Sequence, residues 1–119
     1  MTYTAKDLSP LVRGDDWSIK LTITENNSPV NITGYTYWFT LKSNIDSSDP
    51  GELQVSIVAS GANATNGIVY ITVPHASTNI TAQTYNYDVQ QEDTSSPKTI
   101  KTILIGKVKV VKDVTRSYV

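Results

Sequence analysis

The strongest constraint in the sequence is an alternation of apolar and polar residues over positions 17–24. Ser, Lys and Thr fill the positions between the large apolar residues Trp17, Ile19, Leu21 and Ile23. A period of two residues is typical of a β-strand that has one face in a core and the other in water. The same period returns over 35–41 and 53–57, so the pattern predicts a protein built from strands.

The residue composition favours the same class of structure. Val and Ile together number 23 and Thr adds 16, whereas Leu and Ala together reach only 12. Residues branched at Cβ favour strands over helices, which excludes a helical bundle. A chain of 119 residues is long enough for one domain with a core and too short for two ordinary domains.

The spacing of turn residues along the sequence predicts about seven strands. The first strand ends at Asn26-Asn27-Ser28-Pro29. A helical turn is expected within 75–83, and the long last strand over 99–111 is expected to bend or bulge at Gly106. Polar surface loops are predicted over 44–51, 60–67 and 92–98.

Short strands with this spacing predict an all-β, immunoglobulin-like β-sandwich of antiparallel strands. A closed barrel is the structural alternative. We expect an N-terminal arm over 1–11, the sandwich over 12–115 and a C-terminal tail over 116–119.

The sequence holds few of the parts that catalysis requires. It has no Cys and a single His, His75, so disulfides, thiolate nucleophiles and zinc-finger spacing are excluded. No G-x-S-x-G elbow surrounds any Ser, and Glu52 and Glu92 lie on predicted loops where a glycosidase cleft is hard to build. We therefore predict no enzyme, no catalytic residue and no cofactor.

The charge balance bears on partners and location. Ten Lys and Arg stand against eleven Asp and Glu, without a basic run or a long apolar run. Such a chain is not expected to bind nucleic acid or to insert into a membrane. Residues 1–10 show no secretion signal, so the sequons at Asn26, Asn31, Asn63 and Asn79 are expected to stay unmodified.

Two acidic motifs have both a structural and a functional interpretation. Arg13-Gly14-Asp15 is the tripeptide that integrins recognise, but a turn that uses the backbone freedom of the glycine explains it as well. Asp15 and Asp16, with Asp46 or Asp49, offer the oxygen ligands that Ca²⁺ prefers. Because no EF-hand spacing is present, we predict turns in both cases and no bound metal.

Aromatic and basic residues supply two candidate contact surfaces. An aromatic ring can stack on a sugar, and Trp38 is the candidate glycan contact because it points away from the apolar face of its strand. Most other aromatic residues have the spacing of core residues. Lys107, Lys109 and Lys112 on the last strand are expected to protect a sheet edge or to flank an edge that accepts a partner's strand.

A succession of short motifs spans nearly the whole chain. The motifs are Arg13-Gly14-Asp15-Asp16-Trp17, Ile32-Thr33-Gly34, Tyr37-Trp38-Phe39-Thr40-Leu41-Lys42, Asn66-Gly67-Ile68-Val69-Tyr70-Ile71, Thr84-Tyr85-Asn86-Tyr87-Asp88-Val89, Thr102-Ile103-Leu104-Ile105-Gly106-Lys107-Val108-Lys109-Val110 and Asp113-Val114-Thr115. In this order they resemble the immunoglobulin-like domains of tailed-phage structural proteins, and they are similar to the N-terminal domain of the phage baseplate upper protein. Asn26-Asn27-Ser28 and Gln83 depart from the family's pattern at positions that affect turn geometry.

The resemblance implies a non-enzymatic structural component of a tailed-phage virion, made in the host cytoplasm. Such a domain acts as an adaptor or decoration in the baseplate, tail, neck or capsid surface. Its partners are other virion structural proteins, and several symmetric copies are expected because phage particles have rotational symmetry. We expect the arm over 1–11 to contact a neighbour. The alternative function is a carbohydrate-binding module for host-surface glycans.

Overall fold

The fold is all-β apart from one helical turn. A computed structural model describes residues 2–5, 10–49 and 51–114. The elements in this part of the chain are β1 (Thr2–Ala5), β2 (Leu11–Val12), β3 (Trp17–Glu25), β4 (Ser28–Pro29), β5 (Thr36–Lys42), β6 (Leu53–Val58), α1 (Gly61–Thr65), β7 (Ile68–Val73), β8 (Thr84–Glu92) and β9 (Ile100–Val111).

The strands form two sheets that enclose one core. In the first sheet β3 pairs with β1 along one edge and with β7 and β4 along the other. The second sheet has the order β2-β9-β8-β5-β6. Its strands are antiparallel except for β2, which runs parallel to β9. The expected all-β sandwich is therefore confirmed at the level of two packed sheets.

The alternation over 17–24 places one face of β3 in the core. Trp17, Ile19, Leu21 and Ile23 are all buried, as are Tyr37, Phe39 and Leu41 on β5. These side chains belong to a single apolar cluster that also contains residues of β7, β8 and β9. The core therefore joins the inner faces of both sheets, which is what period-two strands require when each has one polar face.

The described residues near the N-terminus pair with both sheets. The sequence pattern placed residues 1–11 outside the strands, but Thr2–Ala5 pair with β3 and Leu11 pairs with Val110 of β9. Leu11 is also buried in the shared core. Backbone pairing holds this segment, and periodicity cannot reveal such pairing in strands of four and two residues. The predicted tail over 116–119 lies outside the described residues.

Two local details differ from the sequence-based expectation. The polar stretch expected as a loop over 60–67 contains α1, whose Ala64 is fully buried. The irregularity in β9 lies opposite the Val89–Gln90 step of β8 rather than at Gly106. Gly106 instead lies opposite Tyr87, and a Cβ atom there would approach Cε1 of the Tyr87 ring to 3.2 Å. The glycine therefore makes room for a ring, and the pairing register continues unshifted past it.

One polar pair lies inside the core. The Tyr37 hydroxyl donates a hydrogen bond of 2.8 Å to Oε1 of Gln91 on the neighbouring strand. Burial raises the pKa of the Tyr37 hydroxyl far above its ordinary value, so it stays a protonated donor. Among the described residues every fully buried side-chain nitrogen or oxygen has a hydrogen-bond partner.

Removal of the Tyr37 hydroxyl should destabilise the fold. Tyr37→Phe leaves Oε1 of Gln91 without its donor inside the core, and we expect a loss of about 1–2 kcal/mol in the free energy of unfolding. Tyr70→Phe is the matched control, because Tyr70 is 41% exposed and should change stability by less than about 0.5 kcal/mol. Urea titration followed by tryptophan fluorescence measures both. Equal losses in the two variants would contradict this interpretation of the pair.

Candidate binding cleft

The outer face of the second sheet carries a cleft. The alternation that turns Tyr37, Phe39 and Leu41 inward turns the intervening residues of β5 outward. Trp38 lies beside Gln90 of β8, and the neighbouring position Thr40 lies beside Asp88. Polar side chains of two adjacent strands thus share one surface around a single tryptophan.

The loop between β5 and β6 forms one wall of the cleft. Nζ of Lys42 donates 2.7 Å to the Ser47 carbonyl oxygen and lies 2.9 Å from Oδ1 of Asp49. The N–H and hydroxyl of Ser43 each donate 2.7 Å to the Glu52 carboxylate. These contacts tie both ends of the loop to the end of β5. The Lys42 ammonium holds the pKa of Asp49 below its usual range, and the Ser43 donors do the same for the pKa of Glu52.

The cleft is small and mixed in character. Its volume is about 270 Å³, close to the lower end of the ~300–1,000 Å³ typical of small-molecule sites. Carboxylates, amides, one ammonium group and apolar groups line it together: Trp38, Thr40, Lys42, Ile45, Asp49, Gln54, Asn86, Tyr87, Asp88, Gln90, Glu92 and Ile105. A volume of this size accommodates one sugar ring or one side chain of a partner.

Trp38 is fixed within this surface. Its indole N–H donates 3.0 Å to Oε1 of Glu92, and the residue is partly buried. Trp17 contrasts with it, because Trp17 is buried in the core and donates 2.8 Å to the Val12 carbonyl oxygen. The structure therefore assigns one tryptophan to the core and the other to the cleft, as the alternation predicts for both positions.

Asp88 is a carboxylate in the cleft to which no described residue donates a hydrogen bond. Within the described residues no hydrogen bond reaches its side chain, although it is only partly exposed. Desolvation by burial raises the pKa of Asp88, and the nearby Lys42 charge offsets part of that rise. A donor supplied by a ligand, either a hydroxyl or a cationic group, would satisfy this carboxylate. The Asp88 carboxylate is therefore available to a donor from a ligand.

The Arg-Gly-Asp tripeptide belongs to the turn between β2 and β3. Nε of Arg13 lies 3.1 Å from Oδ1 of Asp113, and the Arg13 side chain is only 13% exposed. Gly14 is buried with a φ of +84°, a conformation that favours glycine, and its N–H donates to the Thr78 carbonyl oxygen. The turn interpretation accounts for Arg13 and Gly14, since the arginine is engaged within the domain and the glycine has the conformation that the turn requires.

Two of the four aspartates considered for calcium, Asp16 and Asp49, are engaged with different partners. Asp16 accepts hydrogen bonds from the backbone N–H of His75, at 2.6 Å, and contacts its ring at 3.0 Å. These contacts hold the pKa of Asp16 below its usual value. Asp49 pairs with Lys42. In the part of the chain that the structure describes, no three His, Cys, Asp or Glu side chains form a group that could hold a metal ion.

The residues considered for catalysis, His75, Glu52 and Glu92, each contact different partners. His75 is exposed and contacts Asp16. Glu52 accepts its hydrogen bonds from Ser43, and Glu92 contacts Trp38 and Lys98. The absence of an enzymatic activity remains a prediction.

A search for membrane-spanning helices within residues 2–5, 10–49 and 51–114 finds none of sufficient length and apolar character.

The sequence predicted Trp38 in this site but missed the groups around it. Asp88 and Gln90 occupy outward positions of β8. Their alternation with Tyr87 and Val89 is the signal in the sequence from which their shared face could have been predicted. Lys42 and Asp49 come together through a loop, and no periodic pattern in the sequence predicts such a contact.

Comparison with known proteins adds no assignment, since neither a family model nor a curated protein matches the chain.

Neutralising Asp88 should stabilise the domain. Asp88→Asn removes a desolvated charge, and we expect a gain of about 0.5 kcal/mol in the free energy of unfolding at pH 7, or roughly 2–4 °C in Tm. The pKa of Asp88 is raised in the folded state. The destabilising effect of the Asp88 charge therefore grows as pH rises from the ordinary carboxyl pKa to the raised folded-state pKa, and it is complete above the latter. Below the ordinary carboxyl range the group is protonated in both states, and the variant's advantage should vanish.

Asp93→Asn is the matched control for this measurement. The Asp93 carboxylate accepts hydrogen bonds from Ser95 and Thr99, which lower its pKa, so its neutralisation should destabilise the domain. Differential scanning calorimetry from pH 3 to 8 would resolve both trends. A lower Tm for Asp88→Asn at pH 7 would show that Asp88 has a stabilising partner and would refute its assignment as unpaired.

Proposed function

We propose that the chain is a non-enzymatic binding module of immunoglobulin-like topology. In that fold the strands A, B and E share one sheet and the strands G, F and C share the other, with C′ added beside C in variable-type domains. The order β1-β3-β7 and the order β9-β8-β5-β6 correspond to these two sets. The path from β6 through α1 to β7 contains no strand in the place of D.

A second observation supports this topology at the start of β8. The Tyr85 hydroxyl donates a hydrogen bond to the carbonyl oxygen of Thr81, four residues upstream, and the Tyr85 ring is buried in the core. Immunoglobulin-like domains have a tyrosine corner at the equivalent place, with a Tyr near the start of strand F that bonds to the backbone a few residues upstream. The contact thus fits the proposed assignment of β8 as F.

We propose that this module is an adaptor or decoration domain of a tailed-phage virion, located in the baseplate, tail, neck or capsid surface. The observation that carries the proposal is the strand order, because it is the arrangement that the family resemblance implies. A rigid sandwich holds its loops and edges in fixed positions for contacts with other structural proteins. Such a component acts by surface complementarity, and its partners are other proteins of the particle.

The test of this proposal is the protein content of purified particles. Quantitative mass spectrometry should find the chain in a fixed ratio to a major structural protein, at a copy number that fits the rotational symmetry of its location. Particles disrupted by low ionic strength should release it together with its partner. If gradient-purified particles lack the chain while infected cells contain it, the virion role is wrong.

Carbohydrate binding is a second candidate, which the position of Trp38 favours. The cleft combines the indole ring of Trp38 with amide groups of Gln54, Asn86 and Gln90. Sugars are held by stacking on an aromatic ring together with hydrogen bonds from amides and carboxylates. Asp88, to which no described residue donates a hydrogen bond, would accept one from a sugar hydroxyl. On this interpretation the module recognises a glycan of the host surface through one ring of the sugar.

Replacing Trp38 tests the glycan interpretation. If the cleft binds a sugar, Trp38→Ala should abolish binding on a glycan array, since loss of stacking on one ring costs about 1–3 kcal/mol. Tyr70→Ala removes an exposed aromatic residue of the other sheet and should leave binding unchanged. Circular dichroism and Tm check that both variants fold. If no glycan binds the wild-type chain, or if both variants bind alike, the candidate is rejected.

A further inference from the structure

One flank of the sandwich has two strands with free edges. In the described part of the chain β6 pairs only with β5, and β7 pairs only with β3. Both free edges lie on the same side, because β6 and β7 contact each other across the sandwich. A free edge presents backbone N–H and C=O groups that a further strand can pair with.

The β6 edge lacks the features that normally protect such an edge. None of the residues Leu53–Val58 is charged, and none is proline. The last strand, β9, carries Lys101, Lys107 and Lys109 at exposed positions. Val58 at the end of β6 is 56% exposed although it is apolar. Edges without charge or proline are the ones that pair with other chains, so β6 is suited to pairing.

The core is also incompletely covered at β6. The register places Val55 beside Phe39 and Ile57 beside Tyr37, so both β6 side chains point to the inner face. Phe39 and Tyr37 are fully buried, whereas Val55 and Ile57 are only partly buried. An added strand with apolar residues on its inner face would cover Val55 and Ile57. The inward residues of β7 are already buried, so an added strand at β7 would gain less apolar burial.

We propose that β6 pairs with β6 of a second copy of this chain, antiparallel and about a two-fold axis perpendicular to the sheet. Val55 then lies opposite Val55 of the second copy, and Leu53 lies opposite Ile57. Each residue whose side chain points inward then lies opposite another inward-pointing residue, so the inner faces of both copies lie on the same side of the joined sheet. The two five-stranded sheets become one continuous sheet, and each copy's inward residues cover those of the other.

Self-pairing fits β6 better than other occupants do. A strand that covers Val55 and Ile57 needs apolar residues at alternate inward positions, and β6 itself supplies Leu53, Val55 and Ile57 in that pattern. The pairing also brings no like charges together, because the whole strand is uncharged. Self-pairing of β9 would instead place lysines near lysines. A two-fold contact between identical strands requires this self-complementarity.

A charge on the edge should break the dimer. Ser56 is exposed on the outer face of β6, and Ser56→Lys places two added ammonium groups near the two-fold axis. Sedimentation velocity over a range of concentrations should show a monomer–dimer equilibrium for the wild-type chain. For Ser56→Lys we expect the dissociation constant to rise at least about tenfold, equivalent to about 1.4 kcal/mol. Ser18→Lys, at an exposed serine of β3, is the matched control and should dimerise like the wild type.

A cysteine cross-link tests the register, since the chain has no Cys of its own. Val55→Cys should form a disulfide-linked dimer under mild oxidation, because directly opposed strand residues have Cα atoms about 4.5–5.5 Å apart. Ser18→Cys should form no cross-link under the same conditions, because Ser18 lies on β3, away from the β6 edge. The inference is overturned if the wild type is monomeric at all concentrations. A wild-type chain that binds extended peptides but stays monomeric would overturn it as well. Equal dimerisation of Ser56→Lys and the wild type, or equal cross-linking of the two cysteine variants, also overturns it.

Discussion

The burial of one face of each sheet against the other is the constraint on which this structure depends. Neither sheet is stable alone in water, since each has a continuous apolar face that only the other sheet covers. Tyr37, Phe39 and Leu41 from one sheet therefore belong to the same cluster as Ile19 and Leu21 from the other. The N-terminal segment adds to this arrangement, because β1 extends the first sheet and β2 the second. Described residues near the N-terminus therefore pair with both layers.

Because the core uses only the inward positions, the outward positions are free to differ in chemistry. On the second sheet they hold an aromatic ring, amides and carboxylates, and a loop anchored by Lys42 turns that surface into a cleft. The same sheet ends in an uncharged edge at β6. Asp88 and the β6 backbone have one property in common: each has hydrogen-bonding capacity that the described residues leave unused. Water can meet this capacity in the free protein, because neither Asp88 nor the β6 edge is fully buried, so both are available to a partner.

Much of the fold could be predicted from the sequence, because a period of two is directly visible in it. The inward positions of β3 and β5 follow from alternation alone, and so does the outward position of Trp38. Elements without such a period were missed. The pairing of β1 and β2 depends on the neighbours of very short strands, and α1 depends on how the chain packs between β6 and β7. The bulge opposite Val89 and Gln90 likewise reflects the register between two strands, which neither strand contains by itself.

The sequence by itself determined that this protein is a small all-β domain without cysteine chemistry, and it determined which side chains of the long strands face the core. Only the tertiary structure decided which strands are neighbours, which edges stay free and which polar groups share a surface. Asp88 acquires its raised pKa from burial beside β5, and Lys42 meets Asp49 through the closure of a loop. Local patterns fix the direction of a side chain relative to its own strand, whereas desolvation and ion pairing depend on residues that are distant in the chain and close in space.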